Sequence, residues 1–424
     1  DCDGDGGLDS CQITADVSLD CDGNGVLDSC EFDNGTALDC NSNGIIDSCD
    51  IDSGASQDVN LDDIPDECQS GGGNIYTVPV DFDTIQEAID AAADGDTIIV
   101  SDGIYTETIT ISGKSLVISG AGMDQTIISG QGLMQTVITI EGDLASSTEI
   151  RDLAIAGGFS TDGGAMSIQL SSPTIEDVLF EGNWAANDGG AVFCNDGSPS
   201  FIDCFFRNNH ALGASGGGLH AYGGGAPTLD GCWFESNSAD AFGGGYAATF
   251  GAETDMVDCT FYLNTSYTAG GGIGLYDDDG LLRNVNCTSN GAHISGGGLY
   301  VHFGSAIVTD SRFASNSAYG GGGIGTDSGT VDIEGTRFCG NEGGPTTGNV
   351  IYGSGNCNVW DCDAPCRSDL NRDGMTGIPD LLQVVDNWGD CDMVGMPCPG
   401  DVDLSRDVSL LDMLEVIAKW GVCP

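Results

Sequence analysis

The sequence predicts an all-β solenoid, a parallel β-helix, preceded by a row of calcium loops and followed by a small helical calcium-binding module. Three observations predict the solenoid. Between residues 174 and 341 an asparagine recurs every 25 to 28 residues, at Asn183, Asn209, Asn237, Asn264, Asn290, Asn316 and Asn341. An aromatic stands three residues before nearly every one (Phe180, Phe206, Phe234, Phe261, Phe313, Phe338), with Cys287 as the exception. A glycine run follows most of them after about six residues, as in Gly216-Gly217-Gly218, Gly243-Gly244-Gly245, Gly270-Gly271-Gly272 and Gly296-Gly297-Gly298. Self-similarity at such a period is the signature of a solenoid, in which each repeat packs only on its neighbours.

Within a repeat, short β-branched or aromatic runs are separated by Gly, Asn, Asp and Ser, as in "PSFIDCFFRNNHA", so the units are strands rather than helix pairs. Each strand then pairs with its counterpart one repeat later, about 4.8 Å away, and equivalent positions stack into ladders. The phenylalanine register fills the bore. Asparagine suits a turn, because it tolerates a left-handed backbone and its amide can bond the next amide up the ladder. Glycine triplets belong where the chain bends most tightly and needs positive φ. "GGGIG" at 270–274 and 321–325 has the outline of a phosphate loop, but no helix or lysine follows, which leaves a structural turn.

The first domain, residues 1–69, repeats with a period of 19. "DCDGDGGLDSC", "DCDGNGVLDSC", "DCNSNGIIDSC" and "DVNLDDIPDEC" are four copies of one loop, with oxygen-bearing side chains at positions one, three, five and nine. The four sets are Asp1, Asp3, Asp5, Asp9; Asp20, Asp22, Asn24, Asp28; Asp39, Asn41, Asn43, Asp47; and Asp58, Asn60, Asp62, Asp66. Alternate residues of a tight loop point inward, and hard oxygen ligands at that spacing with glycine at position six suit calcium. The fourth copy departs by placing Asp63 where glycine is expected. These copies resemble the calcium-binding type 3 repeats of thrombospondin and the "DCNGNGIPDEC" repeats of secreted planctomycete-type proteins, which implies a calcium-stapled rod with little hydrophobic core. The cysteines allow two pairings. Within a copy, Cys2 joins Cys11, Cys21 joins Cys30 and Cys40 joins Cys49; between copies, Cys11 joins Cys21, Cys30 joins Cys40 and Cys49 joins Cys68. Spacing alone does not choose between them.

The second domain, residues 70–356, opens with a glycine linker, Gly71-Gly72-Gly73. Ile85, Ala88, Ile89 and Ala92 then lie on one face of a short helix that begins after Asp83 and ends at the DGDT turn. Such a helix would cap the open end of a solenoid. The strands "TIIV", "TITI", "SLVI", "TIIS" and "TVITI" begin the coil. This stretch resembles the start of right-handed, pectate-lyase-like β-helices, and the later Asn and Gly pattern is similar to polymorphic outer-membrane and adhesin passenger repeats. The resemblance covers about 75–350 and speaks for fold, not function.

A lyase or hydrolase of that kind implies clustered carboxylates beside a base. Arg312 and Arg337 share a register without a carboxylate ladder; Asp277, Asp278 and Asp279 form an acidic turn without a basic neighbour in sequence. His210, His220, His293 and His302 keep no metal-ligand spacing. The sequence thus offers no catalytic set. Tyr222 and Tyr276 share a register and are candidates to stack on sugar rings or simply to pack. Cys204, Cys232 and Cys259 stack on successive coils, as disulfide partners or as small buried thiols.

The third domain, residues 357–424, holds two related units 32 residues apart. The first offers Asp369, Asn371, Asp373 and Asp380 at positions one, three, five and twelve of an EF-hand-type loop, with Gly374 at six; the second offers Asp401, Asp403, Ser405 and Asp412, with Arg406 in place of the glycine. Each runs into an amphipathic helix, through Leu381, Leu382, Val385 and Trp388 or through Met413, Leu414, Ile417 and Trp420. The pair resembles dockerin type I modules over 366–421. That family implies docking onto a cohesin partner, read through loop positions ten and eleven, here Ile378 with Pro379 and Leu410 with Leu411.

Composition sets the remaining expectations. In 424 residues the formal charge is -56, which disfavours nucleic acid and anionic membranes as partners. No run of 18 apolar residues is present, so no membrane span is expected. Nineteen cysteines suggest an oxidising, extracytoplasmic setting, and a chain that starts inside a motif suggests processing. The expected function is that of a secreted, calcium-stabilised structural protein of the cell surface or matrix. It would assemble with other copies of itself, conceivably head to tail into a filament, or with a cohesin-like protein. The alternative is a dockerin-bearing carbohydrate-active enzyme or polysaccharide-binding β-helix.

Overall fold

A computed structural model describes residues 73–142 and 148–359, together with positions 13, 20–21, 25–28, 30–31, 45–54, 56 and 65 before them and 381, 384–385, 389–390 and 407–408 after them. They fall into two compact units, Asp1–Ile99 with Lys114–Val117, and Val100–Gly113 with Ile118–Pro424.

In the first unit the expected helix is present as Ile85–Ala91. Thr84 caps it by accepting the Glu87 N–H at 3.2 Å, leaving Ile85, Ala88 and Ile89 on its buried face. Its last carbonyls are closed by Lys114, whose Nζ donates to Ile89 O at 2.8 Å and Asp90 O at 3.0 Å. The DGDT turn ends it as the sequence suggests. Gly95 takes φ +86°, and the buried Asp96 carboxylate accepts the N–H groups of Ala93 and Asn74, each at 2.6 Å.

The second unit is a right-handed parallel β-solenoid of about ten turns. One side is a ten-stranded parallel sheet that takes one strand from each coil, from Ile109–Ser112 to Thr346–Thr347. A second side is a narrow sheet of two-residue strands from Phe159–Ser160 to Gly291–Ala292. The third side passes from short strands, Gly103–Tyr105 and Thr126–Ser129, to long ones, Glu149–Ala156 and Thr174–Glu181, and continues as pairs of short ones such as Ser200–Ile202 and Phe205–Arg207. Asp152, Asp177, Asp203, Gly231, Asp258, Asn284, Asp310 and Gly335 mark its bend with positive φ, and only Asp, Asn and Gly occupy that register.

The bore is built as the periodicity predicts, except that the ladder asparagines are not themselves left-handed: the positive φ falls one residue earlier, at Gly182, Asn208, Ser236, Leu263, Ser289, Ser315 and Gly340, because each asparagine amide is turned inward to bond the next coil. Phe180, Phe206, Phe234 and Phe261 are fully buried and stack face to face, with centroid spacings of 4.7, 4.3 and 4.6 Å. Beside them runs a continuous amide ladder: Asn237 N donates to Asn264 Oδ1 at 2.9 Å, while Asn264 Nδ2 donates to Phe234 O and to Asn290 Oδ1. Every polar atom of such a buried side chain thereby finds a partner. In the glycine triplets two demands act together. Gly216 takes φ +69°, whereas Gly217 leaves no room for a side chain, because a Cβ there would lie 2.3 Å from Gly244 O. Cys204, Cys232 and Cys259 are buried free thiols, which decides between the two roles open to them.

No described helix is long and apolar enough to cross a membrane. Near the C-terminus, Gly389–Asp390 pairs antiparallel with Asp407–Val408, joining the two related segments. Val384 is buried and Val385 half-exposed, so Val385 does not lie on a buried face, contrary to the expectation from the sequence; Leu382 and Trp388 lie outside the described residues.

Candidate functional site

In the ten-stranded sheet the first and third residue of each strand face the bore and the second and fourth face outward, as the alternating burial of Ile109–Ser112 shows. The outward residues change character along the coil. Thr110, Thr139, Ser167 and Gln169 come first and, with Asp162 and Phe193, line an open cleft of about 420 Å³. Aromatic rings follow. Phe193 lies 6.3 Å from Tyr222, Tyr222 5.2 Å from Phe250, Phe250 5.9 Å from Tyr276, and Tyr276 4.7 Å from His302 and 6.1 Å from Phe303. Phe242 and Tyr300 flank this strip with parallel rings 6.0 Å apart. Tyr222 and Tyr276 share a register through Thr249, as the sequence suggested.

Two members of the strip are conformationally costly. Phe250 and Phe303 take φ +63° and +59° in the residue that follows their strands, a position held elsewhere by Gly113, Gly142, Leu170, Asp196, Gly223, Asp277 and Ser328, all with positive φ. A left-handed backbone costs a residue with a Cβ roughly 1–2 kcal/mol. Their rings are nevertheless 55% and 57% exposed, so burial does not offset that cost.

Two histidines are fixed within the strip. His220 is buried, with Nδ1 2.8 Å from Asp188 Oδ1 and Nε2 2.9 Å from Thr249 Oγ1. Burial opposes ionisation of Asp188, but His220 and the Ser215 N–H outweigh it and hold the carboxyl below its usual value. A carboxylate, an imidazole and a hydroxyl in series have the order of a nucleophilic relay. Two facts argue against catalysis. Thr249 is buried, and the next two amides are taken, Phe250 N–H by Tyr276 O and Gly251 N–H by Asp277 O, so neither can stabilise an oxyanion. The trio positions the imidazole. His302 Nδ1 lies 3.6 Å from Asp327, and burial, with Asp327 next, pushes the Tyr300 hydroxyl up and keeps it neutral.

The acidic turn that the sequence singled out divides by burial. Asp279 is at the surface and accepts the Ser305 N–H and hydroxyl, whereas Asp278 is buried at the end of a chain in which Tyr246 Oη meets Thr254 Oγ1 at 2.8 Å and Thr254 donates to Asp278 Oδ2 at 2.9 Å. Burial pushes the Asp278 carboxyl up to about 7. Arg312 and Arg337 are ladder neighbours as expected.

Of the expected calcium ligands, Asp20, Asp28 and Asp47 lie among the described residues; the other twenty-one lie outside them. In the second copy Gly25, at position six, takes φ +88° and donates its N–H to Asp20 Oδ2 at 3.0 Å, and Cys21 N–H donates to Asp28 Oδ1 at 3.1 Å. Positions one and nine are thus drawn onto a tight turn, an arrangement that fits a calcium loop. Asp47 opens the helix Asp47–Ser53 and is buried. The disulfide here is Cys21–Cys49, which belongs to neither of the pairings that the spacing allowed. Cys30 and Cys339 are also disulfide-bonded. No group of three metal-binding side chains is present among the described residues.

No family model matches the chain, and no curated protein matches it. Solved structures do match. "Geobacillus virus E2 - ORF18" is 15% identical with a TM-score of 0.42, covering 66% of this chain and 58% of its own. Pectin methylesterase from carrot is 12% identical with a TM-score of 0.35, over 66% of this chain and 88% of that one. The catalytic domain of a GH87 α-1,3-glucanase in complex with nigerose is 10% identical with a TM-score of 0.36, over 68% and 63%. The last two are β-helix proteins. This chain is similar to them. It spans 58% of the viral protein's length. At these identities and scores the likenesses add nothing to the argument for activity, which rests on this chain's own residues.

Proposed function

We propose that this protein is an extracellular polysaccharide-binding β-solenoid that holds its ligand without cleaving it, with calcium loops stiffening the flanking segments. The observation that carries the reading is the strip Tyr222, Phe250, Tyr276 and Phe303, in which two phenylalanines are held in a costly backbone conformation with more than half of each ring exposed. The solenoid sets this left-handed turn on successive coils but does not require a phenylalanine in it, and residues that fit such a turn poorly are found where function needs them. The adjoining cleft of hydroxyl and amide groups gives such a ligand hydrogen-bond partners. The self-assembling rod favoured by the sequence depends on terminal modules that lie almost wholly outside the described residues, so the solenoid face is the better-supported seat of function.

The test is sedimentation and calorimetry of the full chain against a panel of polysaccharides, with Phe250→Asn and Tyr222→Ala as variants. Binding that both variants weaken at least tenfold supports the reading. Absence of binding, together with calcium-dependent filaments in electron micrographs, restores the rod.

A further inference from the structure

The charge pattern of the solenoid says which polysaccharide this face takes. Among the described residues of the coil, every arginine lies on the side opposite in chemistry to the aromatic strip: Arg151, Arg207, Arg283, Arg312 and Arg337 all belong to strands of the bent third side. Two of them are engaged by carboxylates one coil away, Arg207 with Glu181 at 2.8 Å and Arg283 with Asp255 at 2.7 Å. On the aromatic face the basic groups are His220 and His302, each facing a carboxylate, Asp188 and Asp327. Asp162 lies in the cleft, and the chain as a whole carries -56. An anionic polymer would meet repulsion along this face, with no arginine or lysine among the described residues of the face to receive its carboxylates.

The spacing of rings is informative as well. Tyr222, Thr249, Tyr276 and His302 occupy one register on successive coils, so a large ring, a small hydroxyl and a second large ring follow one another. At about 4.8 Å per coil the two tyrosines stand about 9.6 Å apart along the axis, comparable to the repeat of two sugars in an extended chain. Phe250, the residue after Thr249, inclines to them at 59° and 56° with its ring 5.2 and 5.9 Å from theirs. The electropositive C–H face of a pyranose suits the negative face of each ring.

We propose, building on the polysaccharide-binding reading, that the ligand is a neutral, extended glycan laid along the coil axis, with alternate sugars on Tyr222 and Tyr276 and its hydroxyls running on into the cleft at Thr139, Ser167 and Gln169. Acidic polysaccharides are excluded from the face.

Binding of the full chain is measured with neutral linear glucans and mannans of two to eight sugars, and with polygalacturonate and alginate, each with calcium and with a chelator. The expected result is binding of a neutral chain that strengthens with length until it spans the two tyrosines. Tyr276→Ala should weaken it at least tenfold and Tyr276→Phe leave it nearly unchanged, while neither acidic polymer competes. Acidic chains that bind as well as neutral ones, with or without calcium, overturn the inference and leave the polysaccharide-binding reading standing. Failure of every glycan, neutral and acidic, removes both.

Discussion

Replacing Asp278 by asparagine should make the solenoid more stable above neutral pH and leave it little changed in acid. The buried carboxyl holds its proton far more tightly in the folded chain than in the unfolded one, with a pKa raised from 3.8 to about 7. A group raised in this way contributes its full stability below about 3.8, loses it progressively as pH rises to about 7, and opposes folding above that. At 1.36 kcal/mol for each pH unit, ionising Asp278 in place costs about 4 kcal/mol. Asparagine has almost the same shape, keeps an oxygen for the Thr254 hydroxyl, and carries no charge. Stability of both proteins is measured by denaturant unfolding at pH 5 and pH 8. The general repulsion of a chain with charge -56 acts on both proteins alike and cancels in their difference. The wild type should lose about 2–4 kcal/mol more than the variant between the two conditions. An equal loss in both would mean that Asp278 is hydrated or ionised without penalty, and the reasoning from burial would fail.

Three further outcomes follow from the same geometry. Phe234→Ala should cost about 3–5 kcal/mol by chemical unfolding, whereas Tyr222→Ala, on the exposed face, should cost less than about 1 kcal/mol. Asn264→Ala removes the partner of Asn237 N–H and leaves Phe234 O and Asn290 Oδ1 each short of a donor, so it should cost about 3 kcal/mol or more despite being a smaller change in volume. Chelation of calcium should open residues 1–69 to protease before the solenoid, because carboxylates left without a cation repel and little core opposes them; cleavage unchanged by chelator would refute the calcium loops.

The bore was legible in the sequence because every coil makes the same demand at the same place. Phe, Asn and Gly each answer one fixed requirement, for stacking, for a buried amide ladder, and for close backbone approach, and so recur with the coil, whereas the left-handed residue before each asparagine is Gly, Asn, Ser or Leu and left no such pattern. The aromatic strip was legible only in part. Tyr222 and Tyr276 share one register, but Phe193, His220 and Tyr300 come from a second and Phe250 and Phe303 from the turn, with coil lengths that drift between 25 and 28 residues. For the same reason the histidines looked unrelated to anything. His220 and Thr249 are 29 residues apart and become neighbours only when a strand is laid on the next coil. Adding one coil to each outward residue was the signal that would have found them. The Cys21–Cys49 bond was not legible, because it depends on how the second repeat lies against the helix that ends the third, and a period of 19 says nothing of that packing.

A solenoid also explains why strained aromatics are tolerated where they stand. Phe250 sits in a turn whose backbone is held on both sides by its neighbours: Gly223 N–H donates to Thr249 O, Phe250 N–H to Tyr276 O, and Asp277 N–H to His302 O. The turn conformation is therefore set by four successive coils and not by the residue in it. A side chain that disfavours that conformation raises the free energy of one coil by roughly 1–2 kcal/mol without offering the chain another path to take. In a globular loop the same substitution would let the backbone relax and the ring fold back onto apolar surface. Here the ladder keeps the ring outside, at a fixed height above its sheet and in a fixed relation to Tyr222 and Tyr276. The rigidity that the asparagines and glycines give the bore is thus what allows the outer face to present rings to solvent, ready for a flat ligand that needs no rearrangement to bind.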